Sequence, residues 1–210
     1  MSDSKPDLKA AYSLRTPQDS IDLYRDWAKT YDADFAQAND YCYPALIAKI
    51  FAERAKDNLP VLDVGAGTGL VGEGLARQGI QTVDAIDISA EMLSVAMEKG
   101  CYRKAIRADL TMPLDIPDGR YGGFTCAGTF TFGHVGPDSI DELIRIGRSG
   151  ALYVLGINAA LYDEGGFRAK FSELDKNIRG FELLDTPVYG KNAPEDMQRA
   201  RSAVAVFYKR

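Results

Sequence analysis

Residues 61–69, with the sequence VLDVGAGTG, form the stretch of the chain best suited to binding a ligand. Their apolar start predicts a short buried strand, and three glycines at alternate positions then turn the chain into a helix. Glycine is needed where the backbone bends sharply and a ligand approaches without a Cβ in the way. The free N–H groups at the start of the helix favour a carboxylate or another polar group. Asp87 closes the next predicted strand, 18 residues beyond Gly69, where related folds hydrogen-bond a ribose.

Two classes of nucleotide-like ligand fit this pattern. Gly67, Gly69 and Gly72 satisfy the GxGxxG fingerprint of dinucleotide-binding folds, and Asp87 would serve the ribose of NAD equally well. Asp63, two residues before the first glycine, disfavours NAD because its carboxylate would repel a pyrophosphate but could engage an amino group. A ligand with an adenosine end, an amino-acid end and no phosphate fits better, and S-adenosylmethionine is such a ligand. An NAD-linked oxidoreductase stays as the alternative.

Several motifs resemble those of class I S-adenosylmethionine-dependent methyltransferases. VLDVGAGTG resembles their motif I, VDAIDISAEML their second motif and AIRADLT their third, and DELIRIGRSGALYVLG resembles their helix-loop-strand segment. The resemblance is greatest to small methyltransferase-like proteins of the Williams–Beuren type and their bacterial relatives, through LYRDWAKTYD and GTFTFGHVGP. It covers roughly residues 20–157. Arg148-Ser149-Gly150 departs from the usual Pro-Gly-Gly, which affects a turn and not the cofactor.

The resemblance implies roles for the residues around motif I. The methionine half of the cofactor would pass along the glycine loop, and Asp63 would lie near its amino group. Asp87 would take the ribose hydroxyls. The loop residues implied are Gly65, Ala66, Gly67 and Gly69.

Residues beyond motif II complete the implied cofactor site. Ile88 would lie against the adenine, Asp109 would accept from the adenine amino group, and Leu110 would offer its backbone N–H to the ring. Gly128, at the end of the fourth strand, would approach the methionyl end. Tyr31 would close over the cofactor from the N-terminal helices.

The loop after the fourth strand is expected to form the acceptor site, because ligands of such folds bind outside the carboxyl ends of the strands. It contains His134, the only histidine of the chain. Histidine titrates near neutral pH, so His134 is a candidate general base, and its alternative role is to shape the pocket. Aromatic residues, Tyr43 among them, suggest an apolar cavity that tolerates a sulfonium. The expected pocket residues are Tyr41, Thr129, Phe130, Phe132 and His134.

The elements that position these residues alternate between strands and helices. Such alternation predicts an α/β fold, a doubly wound, Rossmann-like, mostly parallel seven-stranded sheet. The last two strands are joined by a short polar linker, which predicts an antiparallel C-terminal hairpin. The predicted strands are 60–64, 81–86, 103–107, 121–127, 150–157, 181–189 and 202–208, and the predicted helices are 69–78, 89–99, 137–146 and 165–178.

The N-terminal part of the chain precedes the first strand. Residues 1–19 are polar and are expected to form a loosely docked tail, and residues 20–210 a single domain. Apolar residues at helical spacing, with Tyr24, Trp27 and Tyr31 on one stripe, predict helices over 20–37 and 44–56. We assign both to a helical cap over residues 20–58.

Composition narrows the function further. The chain has 25 Lys and Arg against 30 Asp and Glu, a net charge of −5, which argues against a nucleic-acid partner. Three widely spaced cysteines indicate neither a disulfide framework nor a zinc site, so no metal is expected. Without a long apolar run or a signal-like start, a cytoplasmic protein that neither spans nor binds a membrane is expected. The expected function is methyl transfer to a small molecule, with a non-catalytic S-adenosylmethionine-binding protein as a further alternative.

Overall fold

The computed structural model describes residues 16–210 and contains a seven-stranded mixed sheet. Its strands are β1 Val61–Val64, β2 Val83–Asp87, β3 Ala105–Arg107, β4 Tyr121–Phe130, β5 Gly147–Asn158, β6 Ile178–Pro187 and β7 Arg201–Lys209. The strand order is β3-β2-β1-β4-β5-β7-β6. Neighbouring strands from β3 to β5 are parallel, whereas β7 runs antiparallel to both β5 and β6. The predicted α/β class, strand number and C-terminal hairpin are confirmed.

Helices cover both faces of this sheet, as expected for parallel strands joined by helical crossovers. The α-helices of residues 16–210 are α1 Pro17–Trp27, α2 Tyr43–Arg54, α3 Leu70–Arg77, α4 Ala90–Glu98, α5 Ser139–Ile146, α6 Ala159–Glu164 and α7 Phe167–Glu173. Residues of α2, α3 and α4 share one buried apolar cluster with the sheet, and residues of α5, α6 and α7 share another.

Three aromatic rings from three different strands stack on one another in the middle of the sheet. The ring centroids of Phe124 and Tyr153 are 4.4 Å apart, and those of Tyr153 and Phe207 are 4.7 Å apart. These three side chains come from β4, β5 and β7 and are fully buried. Each such pair contributes roughly 0.5–1.5 kcal/mol beyond its burial. This stacking stabilises the position of β4, whose end carries part of the candidate site.

The N-terminal helices differ from the predicted helix over 20–37. Helix α1 begins at Pro17, because the Thr16 side chain accepts a hydrogen bond from the Asp19 N–H and Pro occupies the first turn. Residues 17–19 of the predicted tail are therefore helical, and residues 1–15 lie outside the described part of the chain. After Trp27 the chain forms a turn and then a short π-helix, Asp32–Gln37. We call residues 16–41 the cap.

Helix α2 packs against the sheet and is therefore not part of this cap, contrary to our assignment over 20–58. Ile47 and Phe51 are fully buried in one cluster with Val61 and Val154 of the sheet. The hydroxyl of Tyr43 is buried against the Ser202 hydroxyl, so Tyr43 is a packing residue. None of the helices in the described residues is long and apolar enough to cross a membrane.

Several strands extend beyond their expected bounds. Strand β4 continues to Phe130, β5 begins at Gly147, and β6 begins at Ile178. Asn158 caps the short helix α6, which the sequence analysis missed, by accepting from two N–H groups of its first turn. Capping side chains of this kind act locally and start a helix without an apolar repeat.

Candidate functional site

A cavity lies at the carboxyl ends of β1 to β4, where the strand order reverses between β1 and β4. Open α/β sheets bind their ligands at such a switch point. Three of its walls are the loops after β1, β2 and β3, and the fourth is the end of β4 with its loop. The cap supplies tyrosines to the remaining side. Predicted site residues that line the cavity are Tyr31, Tyr41, Gly65, Ala66, Gly67, Asp87, Ile88, Asp109, Leu110, Gly128, Thr129 and His134.

The loop after β1 is held in place by the carboxylate of Asp87. The Gly67 N–H donates to Asp87 Oδ2 at 2.9 Å, and the Ser89 N–H donates to Oδ1 at 2.9 Å. Burial raises the pKa of Asp87, and these backbone donors act in the opposite direction. Each oxygen keeps a second lone pair, so the carboxylate could still accept from ligand hydroxyls. Asp87 thus joins the ends of β1 and β2 while facing the cavity.

Gly67 combines a left-handed backbone with open space beside it. Its φ is +53°, and a Cβ built there would meet no atom within 4 Å. The residue faces the cavity. A side chain at this position would be strained and would occupy ligand space.

Asp63 lies behind the cavity wall, which corrects the expectation that it faces the ligand. Its side chain is fully buried and accepts a hydrogen bond from the Tyr102 hydroxyl at 2.6 Å. The Thr125 hydroxyl lies 3.0 Å from its other oxygen. Burial raises the pKa of Asp63 to about 7, opposed by these two hydrogen bonds. Successive side chains of a strand point to opposite faces of the sheet, and that of Asp63 points to the face where Tyr102 lies.

Tyr102 also accounts for the apparent dinucleotide fingerprint. Its hydroxyl accepts from the Gly72 N–H at 3.0 Å, and a Cβ on Gly72 would lie 2.3 Å from the ring. Gly72 is therefore glycine because a buried tyrosine approaches its backbone. Neither Gly72 nor Gly69 lines the cavity; Gly69 is the N-cap residue of α3. For Gly69 this corrects the expected contact with the methionine half.

The loop after β3 forms the opposite wall. Asp109 Oδ1 accepts from both the backbone N–H and the hydroxyl of Thr111, at 2.8 and 2.7 Å. This turn leaves Asp109 and Thr111 at the cavity and buries the Leu110 side chain. Met92 of α4 and Ala108 also line this wall and were not predicted.

The predicted pocket residues at the end of β4 lie in three different places: at the cavity, in the core and at the surface. The Thr129 hydroxyl donates to the Val64 carbonyl at 3.0 Å and stays at the cavity wall. Phe130 is 1% exposed and contacts Phe167 in the core, because β4 is longer than expected and its side chains alternate. Phe132 is 39% exposed and lies outside the cavity lining. The expected pocket roles of Phe130 and Phe132 are therefore corrected.

His134 meets a cap residue that the sequence analysis did not select for the site. Its Nδ1 lies 3.0 Å from the Phe132 carbonyl, and its Nε2 lies 3.2 Å from the Tyr24 hydroxyl. Burial lowers the pKa of His134, opposed by the Phe132 carbonyl and by Asp87. Tyr24 belongs to an apolar helical stripe with Trp27 and Tyr31. That stripe was the available signal, but it does not say which members face a cavity.

Asp32 attaches the cap to the glycine loop through a hydrogen bond and to Lys99, after α4, through an ion pair. Asp32 accepts from the Thr68 hydroxyl at 2.5 Å and from the Lys99 ammonium at 2.5 Å. Lys99 also reaches Glu73 at 3.0 Å. Trp27 and Phe35 bury their rings beside Tyr189 of the β6–β7 connection. The cap is thus connected to both the glycine loop and the C-terminal hairpin.

The charges around the cavity have one sign. Asp87 and Asp109 line it, whereas no lysine or arginine does so in the part of the chain that the structure describes. A cationic ligand group is favoured in such surroundings over an anionic one. The described residues contain no cluster of three or more metal-ligating side chains.

Comparison with known proteins agrees with this geometry. Residues 61–149 match a protein family described as a methyltransferase domain. The seven-stranded fold is similar to that of solved S-adenosylmethionine-dependent methyltransferases. The family match and the fold together support the class I S-adenosylmethionine-dependent methyltransferase, with S-adenosylmethionine as cofactor, that the sequence predicts.

Three similar proteins share 15% to 28% of their aligned residues with this chain. Human methyltransferase-like protein 27 is 28% identical over 152 residues, which are 70% of this chain and 61% of that protein. The chain thus spans less than two thirds of that relative's length. A TehB-like methyltransferase from Corynebacterium glutamicum has a TM-score of 0.59 and 20% identity, covering 93% of this chain and 100% of that one. The [4+2]-cyclase SpnF has a TM-score of 0.64 and 15% identity, covering 94% and 97%.

Proposed function

We propose that this protein transfers the methyl group of S-adenosylmethionine to a small-molecule acceptor and releases S-adenosylhomocysteine. The observation that carries the proposal is the cavity at the switch point, where Gly67 faces open space and its N–H is fixed by Asp87. A cofactor with an adenosine and an amino-acid end fits these surroundings.

The cavity residues take separate parts in this proposal. Asp87 accepts from the ribose hydroxyls, and the loop residues Gly65, Ala66 and Gly67 leave room for the methionine half. Ile88, Leu110 and Met92 supply apolar contacts to the adenine, with Asp109 at its amino group. Gly128 and Tyr31 lie toward the methionyl end. Bound S-adenosylmethionine supplies an activated methyl group on a sulfonium, so the protein mainly aligns the acceptor and excludes water.

A small acceptor is supported by the enclosure of the site. The cap packs over the cavity and is attached at Thr68, at His134 and at the hairpin connection. Tyr24, Tyr31 and Tyr41 of the cap line the cavity, and the Tyr41 hydroxyl lies beside Gly128. The net charge of −5 disfavours a nucleic acid as acceptor.

Calorimetric titration tests the cofactor assignment. We expect wild-type protein to bind S-adenosylmethionine and S-adenosylhomocysteine and not NAD. Asp87→Ala should weaken S-adenosylmethionine binding by roughly 1.5–3 kcal/mol, the scale of a hydrogen bond to a charged group. Asp185→Ala is the matched control, because Asp185 is an exposed carboxylate paired with Arg201 on the hairpin.

Each outcome separates the candidate functions. Wild-type affinity in Asp87→Ala, on protein shown by circular dichroism to be folded, would contradict the ribose assignment. Binding of NAD with no binding of S-adenosylmethionine would favour the oxidoreductase. Binding without release of S-adenosylhomocysteine over a broad acceptor panel would favour a non-catalytic binding protein.

A further inference from the structure

Tyr24 and His134 meet at the edge of the cavity although 110 residues separate them. A carbonyl oxygen only accepts hydrogen bonds, so the contact with Phe132 places the proton of neutral His134 on Nδ1. Nε2 then carries a lone pair, and the Tyr24 hydroxyl, 3.2 Å away, donates to it. The contact with the backbone thus determines the tautomer and directs the basic nitrogen at the tyrosine.

Both side chains line the same cavity as Asp87 and Gly128. Tyr24 reaches it from the cap, whereas His134 reaches it from the loop after β4. The Tyr24 ring is stacked beside Trp27, with centroids 6.3 Å apart and planes 6° apart, which restricts its orientation. The pair therefore stands at the side of the cavity where an acceptor would meet the end of β4.

The surrounding charge restricts the acceptor. The cavity lining in residues 16–210 contains two carboxylates, on Asp87 and Asp109, and no lysine or arginine. An acceptor with a carboxylate or phosphate would therefore meet no cationic partner among these side chains. An uncharged acceptor avoids this cost. If the methyl group goes to a hydroxyl oxygen of such an acceptor, the hydroxyl must lose its proton in the reaction.

We propose that Tyr24 and His134 form a proton relay for an uncharged, hydroxyl-bearing acceptor, such as a phenol, in the methyl transfer proposed above. The acceptor oxygen forms a bond to the methyl carbon while the carbon–sulfur bond breaks and its electron pair goes to sulfur. The acceptor proton passes to the Tyr24 oxygen as the Tyr24 proton passes to Nε2 of His134. The resulting imidazolium releases its proton to solvent after the product leaves.

The ionisation state of His134 agrees with this role. Burial lowers its pKa from 6.5, so the imidazole is neutral at neutral pH and can accept a proton. Asp87, at the end of β2, acts on this pKa through its charge, and the Tyr24 hydroxyl on α1 contacts Nε2. The negative charge of Asp87 stabilises the imidazolium that forms.

The first test uses the fact that His134 is the only histidine in the chain. In ¹⁵N spectra of the uniformly labelled protein at neutral pH, we expect one imidazole in the Nδ1–H form. Tyr24→Phe should move the Nε2 resonance and change the pKa of His134. Tyr208→Phe is the control, since the Tyr208 hydroxyl bonds to the Arg54 carbonyl on the sheet. An Nε2–H form, or an unchanged Nε2 resonance in Tyr24→Phe, would overturn the relay.

The second test compares two probe acceptors, phenol and thiophenol, at saturating S-adenosylmethionine. Phenol keeps its proton near neutral pH, whereas thiophenol is largely ionised and needs no base. Tyr24→Phe and His134→Gln should lower kcat with phenol by about 100-fold or more, the range of general-base catalysis. The loss with thiophenol should stay within a few-fold. Equal losses with both acceptors would show that the pair only shapes the pocket.

Failure of this inference is distinguishable from failure of the proposed function. Wild-type protein that binds S-adenosylmethionine but methylates neither probe would overturn the acceptor class and leave the cofactor assignment standing. Protein that binds no S-adenosylmethionine would overturn the proposed function itself.

Discussion

The buried carboxyl of Asp63 makes the stability of the fold depend on pH. Its pKa is raised from 3.8 to about 7 by burial, so the folded protein binds a proton there that the unfolded chain has released. The contribution of this bound proton to the free energy of unfolding is complete below pH 3.8 and is lost as pH rises to about 7. One pKa unit corresponds to about 1.4 kcal/mol, so this rise in pKa corresponds to about 4 kcal/mol.

Asp63→Asn removes the titrating group and keeps its shape. We expect the free energy of unfolding of the wild type to fall between pH 5 and pH 8, and that of Asp63→Asn to fall much less. The amide oxygen can accept from Thr125, while the amide N–H can donate to the Tyr102 hydroxyl. The variant should therefore gain stability relative to the wild type as pH rises, by about 2–4 kcal/mol over this range.

Urea denaturation at several pH values, followed by circular dichroism, measures this difference. Asp84→Asn is the matched control, because Asp84 is also fully buried but is paired with Arg103 at 2.9 Å. That variant should lose stability and keep the wild-type fall between pH 5 and pH 8. Parallel pH curves for Asp63→Asn and the wild type would refute the reasoning, since they would mean that Asp63 is ionised in the folded protein throughout.

Three further substitutions test other parts of the structure. Gly67→Val should abolish S-adenosylmethionine binding in calorimetry, because φ is +53° there and the side chain would enter the cavity; undiminished affinity in folded protein would make the loop only a turn. Phe130→Ala should lower the free energy of unfolding by about 3–5 kcal/mol and leave S-adenosylmethionine affinity within a few-fold of wild type, because Phe130 packs against Phe167 in the core. A loss of affinity without a loss of stability would contradict this position of Phe130. Asp32→Ala should speed hydrogen exchange of cap amides by about 10-fold to 100-fold, because the contacts with Thr68 and Lys99 are lost and a hydrogen bond to a charged group contributes about 1.5–3 kcal/mol. Unchanged exchange would mean that apolar packing alone holds the cap.

The architecture and the place of the site could be predicted from the sequence. Alternating strands and helices limit the sheet to a doubly wound topology, and the polar linker before β7 indicates the hairpin. The glycine loop and Asp87 follow strand ends, and parallel strands bring their ends to one edge. These are properties of local pattern and connectivity, so they need no knowledge of side-chain packing. Whether these residues bind the cofactor stays a prediction.

Tertiary structure decided which side chains face the cavity. Asp63 and Phe130 lie close in sequence to cavity residues, but strand alternation and the length of β4 turn both away. The GxGxxG match is resolved by Tyr102, which approaches Gly72 from 30 residues further along the chain. No local pattern contains that contact, because a ring and a backbone N–H meet only when two helices and a loop have packed.

The contact between Tyr24 and His134 is the clearest case in which the sequence predicts the elements and the tertiary structure decides the contact. The sequence by itself determined that Tyr24 lies on an apolar helical stripe and that His134 follows the fourth strand. Only packing of the cap against the loop brings the hydroxyl to Nε2, and only the Phe132 carbonyl sets the tautomer. Spacing along the chain fixes backbone conformation within a few residues. The direction in which a side chain points, and the group it meets, depend on surfaces that come together after the sheet has formed.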